Sequence, residues 1–458
     1  MDIISEDMFY DFLEKGESIK DKKINLKYVD LKKIQSASFY NCNFTGSQIQ
    51  FGNSENKEQI ENKVTIYFEN CSFNNLLIMG IKNIENLSFF YTEKAKQIDI
   101  FSCNLNRFIF QNNVDIDFEI KMHFCEFHEM FYVYSNEFLQ NGVFNLVQNT
   151  FYQYSTIKNN LFNNLNFSKQ YFKDFLVFEN KSIKGSIFSI NQSEFEKASF
   201  SESEFTNLTF QGCDFYSTTW FENCNKSNDG ILKIIACKFE KYTLFDNSKF
   251  NKIEILRTKF LDKASFENIE TNDFIIHQAT FVTSAYFEEL NKIKVDVIEN
   301  WDRKTLRAIK RELVNTHNQI DYLRFKAYEL NAYKKEIDKD KLSWKDSLIL
   351  YFNQESNNFG LDWTKGIQFI FQWSFIFYIL YIISYAARID EKSNLPNVND
   401  FLVNYLKFTN PLSFLNPPLK NSEDYFLPLI ALILGKIFVS YGIYQTIQAF
   451  RKFGVNGG

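Results

Sequence analysis

Between Ile190 and Trp220 a large apolar residue recurs at every fifth position: Ile190, Phe195, Phe200, Phe205, Phe210, Phe215 and Trp220. A helix gathers residues on one face with a period of 3.6 and a strand with a period of two, so neither explains a beat of five. A backbone that turns a corner every five residues does. Each large residue then points toward a central axis, and four repeats close one coil. Most are preceded, two residues earlier, by a small side chain (Ser193, Ala198, Ser203, Cys213, Thr218) that fits a second, tighter inward slot. The 458-residue chain carries 53 Phe, more than one compact core can hold. A core stacked along an axis absorbs them.

The beat recurs elsewhere. It starts at Phe39 and Phe44, returns at Phe68, Phe73 and Ile78 after a polar insertion (Asn53–Asn62), and is ragged between residues 79 and 188. Beyond Trp220 it resumes at Ile234, Phe239, Phe245, Phe250, Ile255 and Phe260, then Phe266, Ile276, Phe281 and Tyr286. The expected solenoid therefore covers residues 34–290, in roughly 10–12 coils at four five-residue repeats per coil. Residues 1–33 read as its N-terminal cap, with a short amphipathic helix over Glu6–Lys15. Six of the seven cysteines (Cys42, Cys71, Cys103, Cys125, Cys213, Cys237) fall in the small slot, which reads as reduced, buried thiols rather than disulfides or metal ligands.

On these residues the chain resembles the pentapeptide-repeat family. That resemblance implies a mainly β fold, a right-handed quadrilateral β-helix, with Phe195, Phe200, Phe205, Phe210, Phe215, Trp220, Phe250 and Phe260 in its core. One soluble branch, the quinolone-resistance proteins, mimics DNA with an acidic rod. Residues 34–290 are only mildly acidic, and the formal charge of the whole chain is -5, so neither mimicry nor nucleic-acid binding is expected.

After residue 290 the period changes. Leu306, Ile309, Leu313, Thr316, Ile320, Leu323, Ala327 and Leu330 alternate by three and four, which predicts one long helix over residues 301–336, N-capped by Asn300 or Asp302. Its stripe, with Leu306, Ile309, Leu313, Ile320 and Leu323, suits either a cap on the last coil or a dimeric coiled coil. Membrane-linked members of the family are similar here, at Arg307, Lys310, Asn318, Ala327, Glu329 and Tyr333. Residues 291–342 are therefore read as one amphipathic helical segment and residues 343–458 as a membrane domain.

That domain holds two apolar stretches, 366–387 and 426–450, each long enough to span a bilayer. The second carries Lys436 and a stripe of small residues that includes Gly435 and Gly442. Lys436 is expected either to pair inside a structural bundle, with Gln372 or Ser440, or to line a pore. The connecting segment Ile389–Tyr425 reads as lying outside or dipping into the membrane. No glycine lies between Gly366 and Gly435, so a potassium-type selectivity filter is excluded. The stretches Asn358–Trp363 and Tyr441–Gln445, the latter running into Phe450–Gly454, also resemble membrane-anchored bacterial members of the family.

The remaining chemistry is sparse. His123, Cys125 and His128 form H-x-C-x-x-H, but on the five-residue beat Cys125 points inward and the two histidines outward, so no metal site is expected. Phosphate-binding glycine loops and hydrolase or metalloprotease motifs are not found. The sequence predicts no enzyme, no cofactor and no metal. It predicts instead a scaffold or sensor in the bacterial inner membrane, with both termini cytoplasmic because the opening residues carry no secretion signal. Expected partners are the lipid bilayer, a protein bound through the solenoid, and further copies of the chain. The alternative is an oligomeric pore or membrane-perturbing effector gated by the solenoid.

Overall fold

The structure, a computed structural model, describes residues 1–52, 63–92, 94–225, 229–290, 293–340, 344–387, 398–412, 417–419 and 422–451. The polar insertion Asn53–Asn62 and the first residues of the segment joining the apolar stretches lie outside that set. The chain divides into two units, Met1–Trp301 and Asp302–Gly458.

The first unit is a parallel β-solenoid of about 13 turns. Each strand pairs in register with the strand one turn later; residues 187–191, for example, pair with 207–211, these with 231–235, and these with 252–256. Pairing begins at Asp2, which lies beside Lys22. That early start contributes to a turn count above the expected 10–12. Helix α1 (Glu6–Glu14) is built into the first turn, N-capped by Ser5, and its buried Phe9 stacks on Phe39 at 6.0 Å.

The core is made of columns. Phe127, Phe151, Phe172, Phe195, Phe215, Phe239, Phe260 and Phe281 stack ring on ring at 4.3 to 5.2 Å. A second column runs Phe200, Phe221, Phe245, Phe266 and Phe287 at 4.8 to 5.1 Å. Phe195, Phe200, Phe205, Phe210, Phe215, Phe250 and Phe260 are all buried. Trp220 is not a core residue, contrary to expectation. One extra residue follows Phe215, Thr219 enters the small slot beside Ala198, and Phe221 takes the inward place while Trp220 turns outward. The same insertion puts Phe287 inside and Tyr286 outside.

Two further columns fill the small slots. One contains Cys42, Cys71, Thr92, Asn113, Asn136, Asn160, Asn180, Ser203, Cys224 and Ser248; the other contains Cys103, Cys125, Asn149, Gln170, Ser193, Cys213, Cys237 and Thr258. Each slot residue accepts from, or donates to, its neighbours one turn away. Asn136 Oδ1 accepts from the backbone N–H and the side-chain amide of Asn113, and Asn136 Nδ2 donates to Asn160 Oδ1 at 2.8 Å and to the Phe110 carbonyl at 2.9 Å. Such a ladder satisfies buried amides as fully as a sheet satisfies its backbone. It also explains the ragged stretch between 79 and 188. There most of the slots hold Asn or Gln, which do not read as small residues. Most slot residues follow a residue in the left-handed conformation, among them Asn41, Asn70, Asn112, Ser135, Asn159, Phe124 and Gln148, with φ between 49° and 57°. These are the corners. The unit closes with α2 (Val295–Ile298) and Trp301, whose indole N–H donates to the Asn272 carbonyl and whose ring meets Phe274 edge-on at 5.6 Å.

The second unit is helical: α3 (Arg303–Asn315), α4 (Gln319–Asp340), α5 (Trp344–Asn357), α6 (Trp363–Ala386), α7 (Val398–Thr409) and α8 (Phe426–Phe450). The single helix expected over 301–336 is two helices. His317 takes φ 58°, and Asn318 caps α4 by accepting from Asp321 N. The stripe is divided accordingly. Leu306, Ile309 and Leu313 are buried on α3, whereas Ile320 is 51% exposed and Leu323 only half-buried; the buried apolar positions of α4 are Phe325, Ala327, Tyr328, Ala332 and Ile337. α6 and α8 are antiparallel neighbours, from Trp363 on Phe450 (5.0 Å) at one end to Tyr385 on Tyr425 (6.1 Å) at the other.

Candidate functional site

Two places in the molecule combine unusual composition with defined geometry, one in each unit. The first is a column on the outer side of the solenoid, half-buried at Tyr67, Tyr132, Trp220 and Tyr286 and buried at Ser88, Thr156 and Ser265. Strand register places Ser38, Tyr67, Ser88, Ile109, Tyr132, Thr156, Val177, Ser199, Trp220, Leu244, Ser265 and Tyr286 one above another. No charge occurs along it, although the chain as a whole is 23% charged. The column that runs from Leu77 through Asp99, Lys121, Asn145, Asn166, Ser189, Thr209, Lys233, Glu254 and Ile275 is mixed and carries four charges.

Aromatic side chains flank the uncharged column. Tyr67 lies between Tyr40 (5.3 Å) and Phe90 (5.4 Å), Tyr132 stacks on Tyr134 (5.5 Å), and Phe175 bridges Tyr154 (5.8 Å) and Trp220 (5.9 Å). The Lys197 ammonium sits over both Phe175 and Trp220, at 4.7 and 5.2 Å from the ring centres, a cation–π arrangement that holds the rings in place. Acidic residues form part of the rim, where Glu222 neighbours Asp246 and Asp246 neighbours Glu267. Burial first, and then Asp246, pushes the Glu222 carboxyl above its ordinary range.

The second place is the interior of the helical unit. Glycines set the helix spacing: a methyl group on Gly442 would stand 2.5 Å from Ile370, one on Gly366 2.3 Å from Thr446, and one on Gly435 2.5 Å from Phe408. The small stripe thus lets α8 approach both α6 and α7. Lys436 is fully buried, and its ammonium donates to the carbonyls of Lys407 (3.2 Å) and Asn410 at the C-terminal end of α7. A cation is favoured there by the helix dipole and by the carbonyls left without helical partners. Gln372, expected beside Lys436, is exposed on α6 instead.

At the other end of α8, Asn357 donates to the Gln445 carbonyl (3.1 Å) and to its side-chain oxygen, while Tyr441 OH and Gln445 Nε2 both donate to Asn353 Oδ1. The turn between α5 and α6 is held in the left-handed region at Asn358, Phe359 and Gly360, and Asp362 caps α6. Asn357, whose side-chain oxygen accepts from Gly360 N at 2.8 Å, ties the turn at 358–363 to Gln445 in the stretch 441–445. The α3–α4 hairpin likewise gathers residues singled out earlier. Glu329, 8% exposed, accepts from Arg307 Nε (2.8 Å) and Lys310 Nζ, while Tyr333 lies under the Arg303 guanidinium at 4.0 Å. Burial works to raise the Glu329 carboxyl, but Lys310 and Arg307 outweigh it and hold the group below its ordinary range.

The seven cysteines are free and buried. Cys125 points inward, whereas His128 lies outside, stacked on Tyr152 at 4.8 Å. Among the described residues no group of three or more His, Cys, Asp or Glu is arranged to hold a metal. Two helices, α6 and α8, are long and apolar enough to cross a membrane. Comparison with protein-family models, with curated proteins and with solved structures gives no match, so what the chain is shown to be is a parallel β-solenoid of about 13 turns joined to a helical unit with two long apolar helices.

Proposed function

We propose that this chain is a non-enzymatic, membrane-anchored scaffold of the pentapeptide-repeat type, whose solenoid offers its uncharged aromatic column to a protein partner at the cytoplasmic face of a bacterial inner membrane. The observation that carries the reading is that column. Protein interfaces have centres depleted in charge and enriched in Tyr, Trp, Phe and Met, with polar rims. Tyr67, Tyr132, Trp220 and Tyr286 at the centre, with Glu222 and Asp246 at the edge, follow that plan.

The membrane part of the reading is supported by the outer surfaces of α6 and α8. Phe371, Phe375, Leu380 and Ile383 on one helix, and Leu427, Leu434, Ile437 and Ile447 on the other, are exposed. Only about a third of each apolar window is buried, unlike the core helix of a soluble protein. Hydrocarbon is the solvent that such surfaces suit.

The test uses the full chain solubilised in mild detergent. Trp220→Glu together with Tyr132→Glu should abolish capture of a partner that the unaltered chain retains, whereas Thr209→Glu on the mixed face should not. Equal capture by all three would refute the reading. The competing pore reading draws on Lys436 and on the two-helix hairpin layout, and Lys436 is already engaged by the end of α7. Conductance or dye release from liposomes holding the purified chain would revive it.

A further inference from the structure

The two apolar helices change character at one end. Where Trp363 meets Phe450, α6 carries Lys365, Gln368 and Gln372, and α8 carries Tyr441, Gln445 and Gln448. Lysine, tyrosine and amide side chains grouped in this way suit the edge of a bilayer rather than its centre. α5 packs at this level. Asn353 accepts from Tyr441 OH and Gln445, Asn357 donates to Gln445, and the Phe352 ring meets those of Phe369 and Tyr441. In the first half of α5, Trp344, Leu348 and Ile349 are exposed and apolar. A helix with such a face at such a level suits the boundary between headgroups and acyl chains.

α4 lies alongside α5, and between them opens a pocket of about 380 Å³ lined by Lys334, Asp338, Trp344, Ser347, Leu348 and Tyr351. It holds one charge of each sign. Lys334 Nζ donates to Gln354 Oε1 at 2.5 Å and sits over the Tyr351 ring at 5.3 Å. Asp338 accepts from the Ser347 hydroxyl at 2.6 Å. Residues four apart share a helix face at about 6 Å, so the two charges stand one turn from each other on α4. From Ile349 the apolar surface continues into a groove of about 230 Å³ between α5 and α8, lined also by Phe352, Ile437, Phe438 and Tyr441.

We infer that this pocket takes the headgroup of phosphatidylethanolamine, with the phosphate at Lys334, the primary ammonium at Asp338 and an acyl chain in the groove beside α8. This rests on the reading that α6 and α8 cross a bilayer. The choice of occupant follows from charge. An anionic headgroup without an amine would satisfy Lys334 but face the Asp338 carboxylate. A choline headgroup has no N–H to give that carboxylate, and the Tyr351 face that could hold a quaternary ammonium is already taken by Lys334. A phosphate with an ammonium two carbons away meets both charges through charged hydrogen bonds.

The experiment uses the full chain reconstituted in vesicles of equal parts phosphatidylethanolamine, phosphatidylcholine and phosphatidylglycerol. Flotation comes first: a chain that fails to float with the vesicles overturns the membrane reading and this inference together. The floating chain is then taken into mild detergent, and the lipid it retains is identified by mass spectrometry. Phosphatidylethanolamine should exceed either other lipid by about tenfold, the worth of one charged hydrogen bond. Asp338→Ala should remove its advantage over phosphatidylcholine, and Lys334→Gln should lower its retention by about the same factor, whereas Lys339→Gln should change neither. Equal retention of the three lipids, or a preference for phosphatidylglycerol, overturns the inference while the membrane reading stands. So does an Asp338→Ala chain that keeps the preference, or an equal effect of the two lysine variants. A second measurement needs no charged variant. In vesicles, phosphatidylethanolamine brominated on its acyl chains should quench tryptophan fluorescence more than equally brominated phosphatidylcholine, and Trp344→Phe should remove the difference. Equal quenching by the two lipids would overturn the inference as well.

Discussion

The two units keep buried polar groups satisfied in opposite ways. In the solenoid the solution is repeated: Asn113, Asn136, Asn160 and Asn180 each do for the next turn what the previous one did for theirs. In the helical unit each solution occurs once. Lys436 meets the end of α7, Glu329 meets Arg307 and Lys310, and Asn357 meets Gln445. A repeated device tolerates variation along its column, as Cys71, Ser203 and Ser248 demonstrate, because neighbouring turns already fix the backbone. A unique device has no such support, and one side chain decides it.

That contrast can be broken by substitution. The largest effect is expected for Phe200→Ala, which interrupts the stack beneath Phe221 and leaves a ring-sized void; thermal unfolding should report a loss of about 4 kcal/mol. Asn136→Ala should cost about 3 kcal/mol, since it takes the acceptor from the Asn113 backbone N–H and the side-chain donor from the Phe110 carbonyl, whereas Asn136→Ser should recover part of that loss. An equal loss for Ala and Ser would mean that slot residues act by shape alone.

Glu329→Gln should destabilise the α3–α4 hairpin by about 2 kcal/mol, because two cations lose their charged partner. The pH dependence has a definite sign. The folded-state pKa of Glu329 is depressed, so its contribution is complete above the ordinary carboxylate pKa and disappears as pH falls through the folded value. Unfolding of the unaltered chain should therefore become easier in acid by more than that of Glu329→Gln. The smallest stability change belongs to Trp220→Ala, at most about 1 kcal/mol from lost contacts with Phe175 and Lys197. A loss as large as that of Phe200→Ala would return Trp220 to the core.

Trp220 also marks how far the sequence could be read. The five-residue beat reveals the solenoid because the inward ring repeats often enough to survive local slips. It does not reveal the slips, since an apolar Trp one residue before an apolar Phe satisfies the same spacing. Nor does it reveal the asparagine column, because Asn in an exposed turn and Asn in a buried ladder look alike until the register of neighbouring turns is known. The hairpin of α3 and α4 was hidden for a related reason. Alternating steps of three and four continue straight through His317 and Asn318, and only the cap on α4 and the pairing of Glu329 with Arg307 and Lys310 separate two helices from one. Lys436 stood out as costly, but its partner lies in a segment whose helix is too short to announce itself.

The thiol columns carry one more consequence. Cys42, Cys71 and Cys103 precede the asparagine column that runs from Asn113 to Asn180, Cys125 lies within its span, and Cys213, Cys224 and Cys237 follow it. Burial pushes the Cys103 and Cys224 thiols up to about 12, so in the closed state they are neither accessible nor ionised enough to react. Each is therefore a native clock for its own turn. Timed alkylation followed by peptide mass analysis would register the opening of single turns, and would distinguish a rod that melts piecewise from one that lets go all at once.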